Sequence, residues 1–153
     1  VSEIAVAVLH GLQNKKSSLD KYYVLYEDAF EQKPELEKTF RLVLAEMAAL
    51  TIAETGSRWR KKSDFYSLFL TLSKFVKDLA FSSNRRKTTK AALEKFGADV
   101  DKYLRGELPN ARKGVVKYAD AVERAATDLA NRKARDEALT ELIAPPNFSG
   151  RLL

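Results

Sequence analysis

Ser63-Asp64-Phe65-Tyr66-Ser67-Leu68-Phe69-Leu70-Thr71-Leu72-Ser73-Lys74-Phe75-Val76-Lys77-Asp78-Leu79 sets Phe65, Phe69, Leu72, Val76 and Leu79 in one row at steps of three and four. Tyr66, Leu68, Leu70 and Phe75 widen that row around the axis. Such steps bring side chains to one face of an α-helix, whereas a half-buried strand would alternate. An apolar surface this wide needs neighbours on several sides, so the spacing predicts the central helix of a bundle. Ser63 suits the N-cap, and Asp64 follows in the first turn, where the helix dipole favours a carboxylate.

The same periodicity extends in both directions. Upstream, Leu36, Phe40, Leu42, Val43, Leu44, Met47, Leu50 and Ile52 predict a helix from Pro34 to about Thr55. Proline fits its first turn and Gly56 its end. Leu19, Tyr22, Tyr23, Tyr26 and Phe30 form a bulky stripe on a helix expected from a Ser18 cap to about Glu31, and such a stripe is expected in the core. Ile4, Ala5, Val8, Leu9 and Leu12 predict a first helix over Val1 to Gln13. Downstream, Ala92, Leu93, Phe96, Val100 and Leu104 give a helix from about Thr88 to Leu104. Another starts near Ala111 with Val115, Val116, Tyr118, Ala119, Val122 and Ala126, and a last covers roughly Asp128 to Ala144. No strand alternation or hairpin turn is present, and the connections are short. The expectation is an all-α bundle of six or seven mostly antiparallel helices, with residues 1–144 as one domain and 145–153 as a tail after Pro145.

Composition removes several kinds of chemistry. The chain has 153 residues, no cysteine and one histidine. Disulfides, thiolate metal sites, thiol nucleophiles and zinc sites built on several imidazoles are therefore excluded. No basic-then-apolar leader opens the sequence, and no run approaches the ~18 apolar residues of a membrane helix. The reading is a soluble, cytoplasmic protein without membrane contact. His10 is expected as a helix-end or partly buried structural residue, since its helix offers only Glu3 as a partner. Glu27/Asp28, Asp99/Asp101 and Asp136/Glu137 diverge around their helix axes and read as solvated charges. No phosphate-cradling glycine loop or nucleophile elbow occurs, so neither catalytic residues nor a cofactor is expected.

Charge is unevenly placed. The net charge is +6, yet residues 1–55 carry −3 and residues 56–90 alone carry +8. Two clusters account for this excess: Arg58, Arg60, Lys61 and Lys62, then Arg85, Arg86, Lys87 and Lys90. Arg132, Lys133 and Arg135 form a third group. Clustered cations concentrate polyanions, although a solvated surface would read the same way. Trp59, the only tryptophan, stands among the first cations. It suits either stacking on a base or plugging the bundle end. Arg132 and its neighbours suit phosphate contact or a salt bridge to Asp136.

Four segments taken in order carry a resemblance: Gly11-Leu12-Gln13-Asn14-Lys15-Lys16-Ser17-Ser18-Leu19-Asp20-Lys21-Tyr22-Tyr23, Trp59-Arg60-Lys61-Lys62-Ser63-Asp64-Phe65-Tyr66-Ser67-Leu68-Phe69, Val116-Lys117-Tyr118-Ala119-Asp120-Ala121-Val122 and Asn131-Arg132-Lys133-Ala134-Arg135. Together they resemble the helical region that follows the catalytic domain in the GmrSD-type family of ParB-like proteins. The resemblance spans nearly the whole chain and implies a bacterial restriction or phage-defence context. Members of that family carry an N-terminal nucleotide-hydrolysing domain with an Asp-Gly-Gln-Gln-Arg motif, and some add a nuclease domain. Neither the motif nor that domain occurs here, so no catalytic residue carries over and the chain reads as a separated helical part.

The resulting expectation is a non-enzymatic helical module contacting DNA or a catalytic partner through a basic surface. Arg58, Arg60, Lys61, Lys62, Arg85, Arg86, Lys87, Arg132 and Arg135 would meet phosphate, with Trp59 beside them. A small nucleic-acid-binding subunit of an RNA-guided complex remains open as an alternative, with RNA as the partner. So does a dimerisation or docking domain whose basic surface is incidental.

Overall fold

The helix expected at the centre of the sequence is also central in space. The computed structural model describes residues 1–14, 19–50 and 56–145. Its elements are α1 (Ser2–His10), α2 (Leu19–Leu25), α3 (Lys33–Ala49), α4 (Lys62–Ser73), α5 (Ser83–Leu104), α6 (Lys113–Glu123) and α7 (Leu129–Ile143). Two 3₁₀ turns, Arg58–Arg60 and Val76–Asp78, flank α4. Among the described residues there is no strand, and the fold is an all-α bundle.

α4 packs against α1, α3 and α7, while α6 lies between α5 and α7. Leu68, Phe69 and Leu72 of α4 have no exposed surface. They meet Val43, Met47, Val100, Val115, Tyr118 and Leu139 in one core. Burying a side chain of this size is worth roughly 1.5–3 kcal/mol, so α4 contributes more to the core than its length suggests.

Trp59 packs inward. Its indole stacks over Phe96, meets Tyr118 edge-on and lies against Gly97 of α5. At 5% exposure Trp59 fits a packing role better than stacking on a base.

Several boundaries differ from those expected. α4 begins at Lys62, with Lys61 rather than Ser63 at the N-cap. It ends at Ser73 because the chain tightens there: the Lys74 and Phe75 amides donate to the carbonyls three residues back. α5 begins at Ser83, where the Ser82 hydroxyl accepts from the Arg85 amide. It ends in a Schellman turn, with the Glu107 amide donating to Lys102 and the Gly106 amide to Tyr103. Gly106 sits at φ 76°, which a side chain would resist.

The aromatic stripe of α2 is a larger correction. Within the stripe Tyr23 is 59% exposed, Leu19, Tyr22, Tyr26 and Phe30 are only partly buried, and the helix ends at Leu25 rather than near Glu31. The reason is tertiary: α2 rests mainly on α1 and leaves its other sides without a packed helix among the described residues. The Ser18 cap, the end of α3 near Thr55 and the tail after Pro145 fall outside the described residues.

Gly97 supplies a test of the packing. A Cβ added there meets Trp59 at 3.6 Å, an ordinary contact, in the middle of a helix where glycine is costly. Gly97→Ala should therefore raise stability by about 0.5–1 kcal/mol in urea unfolding. Gly97→Leu should lower it by displacing the indole.

Candidate functional site

The basic segments divide by where the backbone points each side chain. Arg58 turns inward and is 5% exposed. Its guanidinium lies 2.5 Å from Asp101 of α5 and 3.4 Å from Asp64 at the start of α4. Asp64 has no exposed surface and accepts a 2.6 Å hydrogen bond from the Tyr118 hydroxyl. Lys61 follows Arg58 toward Asp101 at 3.4 Å. Arg60 and Lys62 face the other way and remain exposed, lining a cleft between α1, α3 and α4.

The second cluster is similarly reduced. Arg86 forms a two-point pair with Glu46 of α3, both contacts at 2.8 Å. Glu46 is 1% exposed and also accepts from the Phe81 amide. Arg85 pairs with Asp78 at 3.2 Å and lies over the Phe81 ring. Lys87 is exposed. Since Arg58 meets α5 at Asp101 and Arg86 lies fifteen positions earlier, the clusters are about 22 Å apart along that helix. They do not form one continuous stripe.

Of the third group the two arginines are internal, while Lys133 is exposed. Arg132 donates to the Tyr66 hydroxyl at 2.6 Å and lies 3.4 Å from Glu3 of α1. Arg135, 1% exposed, donates to the Ser67 hydroxyl and to the carbonyls of Ala121 and Ala126. It thereby holds the α6–α7 turn, in which Ala125 sits at φ 42°. Asp136, expected on a solvated face, is buried and pairs with Lys74 rather than Arg132.

Phosphate contact by Arg58, Arg132 and Arg135 is therefore contradicted by burial, and Arg86 is already held by Glu46. A guanidinium that is 1–5% exposed presents almost no surface to a polyanion. Sequence reasoning missed the acceptors Glu3, Glu46, Asp64 and Asp101, and it paired Asp136 with Arg132 where the structure pairs it with Lys74. One signal was present: Arg132, Arg135 and Asp136 share a helical face with Leu139 and Ile143.

Burial raises the Asp64 carboxyl above its ordinary range, opposed by the Arg58 charge and the Tyr118 hydrogen bond. Burial likewise pushes the Tyr118 hydroxyl well up, with the Asp64 charge acting in the same direction. The Arg135 guanidinium is lowered by burial, with Tyr118 and Asp64 opposing that shift. This network joins α4, α5, α6 and α7, and all its surroundings describe structure rather than an accessible reactive centre.

His10 ends α1, exposed, with Nε2 2.7 Å from the Tyr26 hydroxyl and its ring stacked on Tyr22. Among the described residues no group of three or more acidic or histidine side chains is placed to hold a metal ion. None of their helices is long and apolar enough to cross a membrane.

The cleft is open to solvent. Its volume is about 620 Å³, and its walls include Tyr23, Phe40, Leu44, Phe65 and Tyr66, with Arg60 and Lys62 among them. A smaller hollow of about 270 Å³ separates α1 from the Tyr22–Tyr26 side of α2. No protein-family model, curated protein or solved structure matches this chain.

Three variants test these assignments. Arg58→Ala should cost about 3–5 kcal/mol in urea unfolding because it leaves Asp64 buried without its cation. The Arg60→Ala/Lys62→Ala double variant should stay within about 0.5 kcal/mol of the parent for each position. The folded chain binds a proton at Asp64 more tightly than the unfolded chain, whose value is near 3.8. Stability from this group is thus highest at low pH and declines as pH rises from that value through the raised folded value. The stability difference Asp64→Asn minus parent should therefore increase over the same interval in paired urea titrations.

Proposed function

We propose that this chain is a non-enzymatic helical docking module whose α1–α2–α3–α4 face receives a catalytic protein partner. The resemblance to the helical region of GmrSD-type ParB-like proteins supports that class of partner and a bacterial restriction or defence setting. One observation carries the choice of face. Among the described residues Tyr23, Val24, Leu25 and Leu44 are exposed large apolar side chains, and Tyr23 and Leu44 line the same cleft. Apolar surface gathered in this way marks an interaction site, whereas scattered single residues would need no explanation.

DNA contact is the weaker reading because most of the predicted cations are held by buried or half-buried acceptors. Arg60, Lys62 and Lys87 remain exposed without an ion pair among the described residues. Two or three phosphate contacts would change affinity about 10- to 40-fold between roughly 50 and 200 mM salt, against 10³ or more for six.

Anilinonaphthalene sulfonate, a dye that brightens on apolar surface, tests the face directly. The folded chain should enhance its emission, and Tyr23→Glu with Leu44→Glu should abolish the enhancement without changing the far-ultraviolet circular dichroism. Absence of enhancement in the parent would overturn the assignment. So would duplex binding that falls 10³-fold across the salt range in fluorescence anisotropy.

A further inference from the structure

We infer that the cleft takes an apolar segment bearing carboxylates, supplied by the partner protein. This rests on the docking reading and adds the chemistry of the occupant. Three features of the cleft point the same way.

The first is its wall. Phe40 and Phe65 each contact the Phe69 ring, with centroids 4.7 and 6.4 Å apart, so the floor is a fixed aromatic surface. Tyr23 and Leu44 extend it outward to solvent. Such a surface selects carbon-rich side chains and gives a phosphate backbone little to bind.

The second is the balance of charge along the lining. Arg60 and Lys62 are exposed and unpaired among the described residues, whereas Glu3 is tied to Arg132 at 3.4 Å. The unneutralised charge at the cleft is positive, so a carboxylate on the occupant is complementary and an ammonium is not.

The third is the local backbone. Arg58 and Lys61 turn to Asp101, while Arg60 and Lys62 turn to the cleft. Trp59 is locked between them against Gly97 and Phe96. The turn is therefore anchored from its inner side, and the two outward cations are presented from a rigid base. Pre-set cations lose less freedom on binding than cations on a loose loop.

Selection from a displayed library of random peptides tests this with the intact chain as bait. The expected outcome is enrichment of peptides combining Leu, Phe or Trp with Asp or Glu. Binding of a selected peptide should fall about tenfold or more on the Arg60→Glu/Lys62→Glu variant. A peptide with Lys replacing its acids should recover on that variant. Loss of binding on Leu44→Glu locates the peptide in the cleft. Enriched apolar peptides without acidic residues, still sensitive to Leu44→Glu, would overturn the carboxylate inference and leave the docking face standing. No enrichment, or enrichment insensitive to Leu44→Glu, would overturn both. Displacement of the peptide by duplex DNA with the same dependence on Arg60 and Lys62 would assign those cations to phosphate and overturn the inference.

Discussion

Burial of charge at the start of α4 constrains this bundle more than any single apolar contact. Asp64 lies in the interior, where an isolated carboxylate would be costly, and Arg58 and Tyr118 converge on it. Arg58 reaches on to Asp101, so one side chain fixes the 3₁₀ turn, α4 and α5 relative to each other. Arg135 completes the arrangement from α7 by joining Ser67 of α4 to the carbonyls that close α6. These directional contacts tie four helices together through a few side chains.

The same constraint decides which cations remain for function. Interior acceptors take Arg58, Arg132 and Arg135, while Glu46 takes Arg86. What remains at the cleft is a pair, Arg60 and Lys62, beside an aromatic wall. A strongly basic sequence thus folds into a surface whose distinctive feature is apolar. The docking proposal rests on that contrast.

Much of the bundle was legible from spacing. The row of Phe65, Phe69 and Leu72 identified the central helix, and Leu93, Phe96 and Val100 identified the buried face of α5. The stripe of Tyr22, Tyr23 and Tyr26 misled because periodicity reports that a helix has an apolar side, not that the fold covers it. Of the candidate site, Arg60 and Lys62 were legible as residues and as a cluster. The cleft was not, since its walls come from helices remote in sequence.

The sequence by itself determined an all-α chain without cysteine chemistry, because helical period and composition are local properties. Only the tertiary structure decided which charges are buried and which face remains open. Those outcomes depend on pairs such as Glu46 with Arg86 and Arg132 with Glu3, whose members are far apart along the chain. Whether a guanidinium meets solvent or a carboxylate is fixed by the helix packed over it, and no local pattern of residues contains that information.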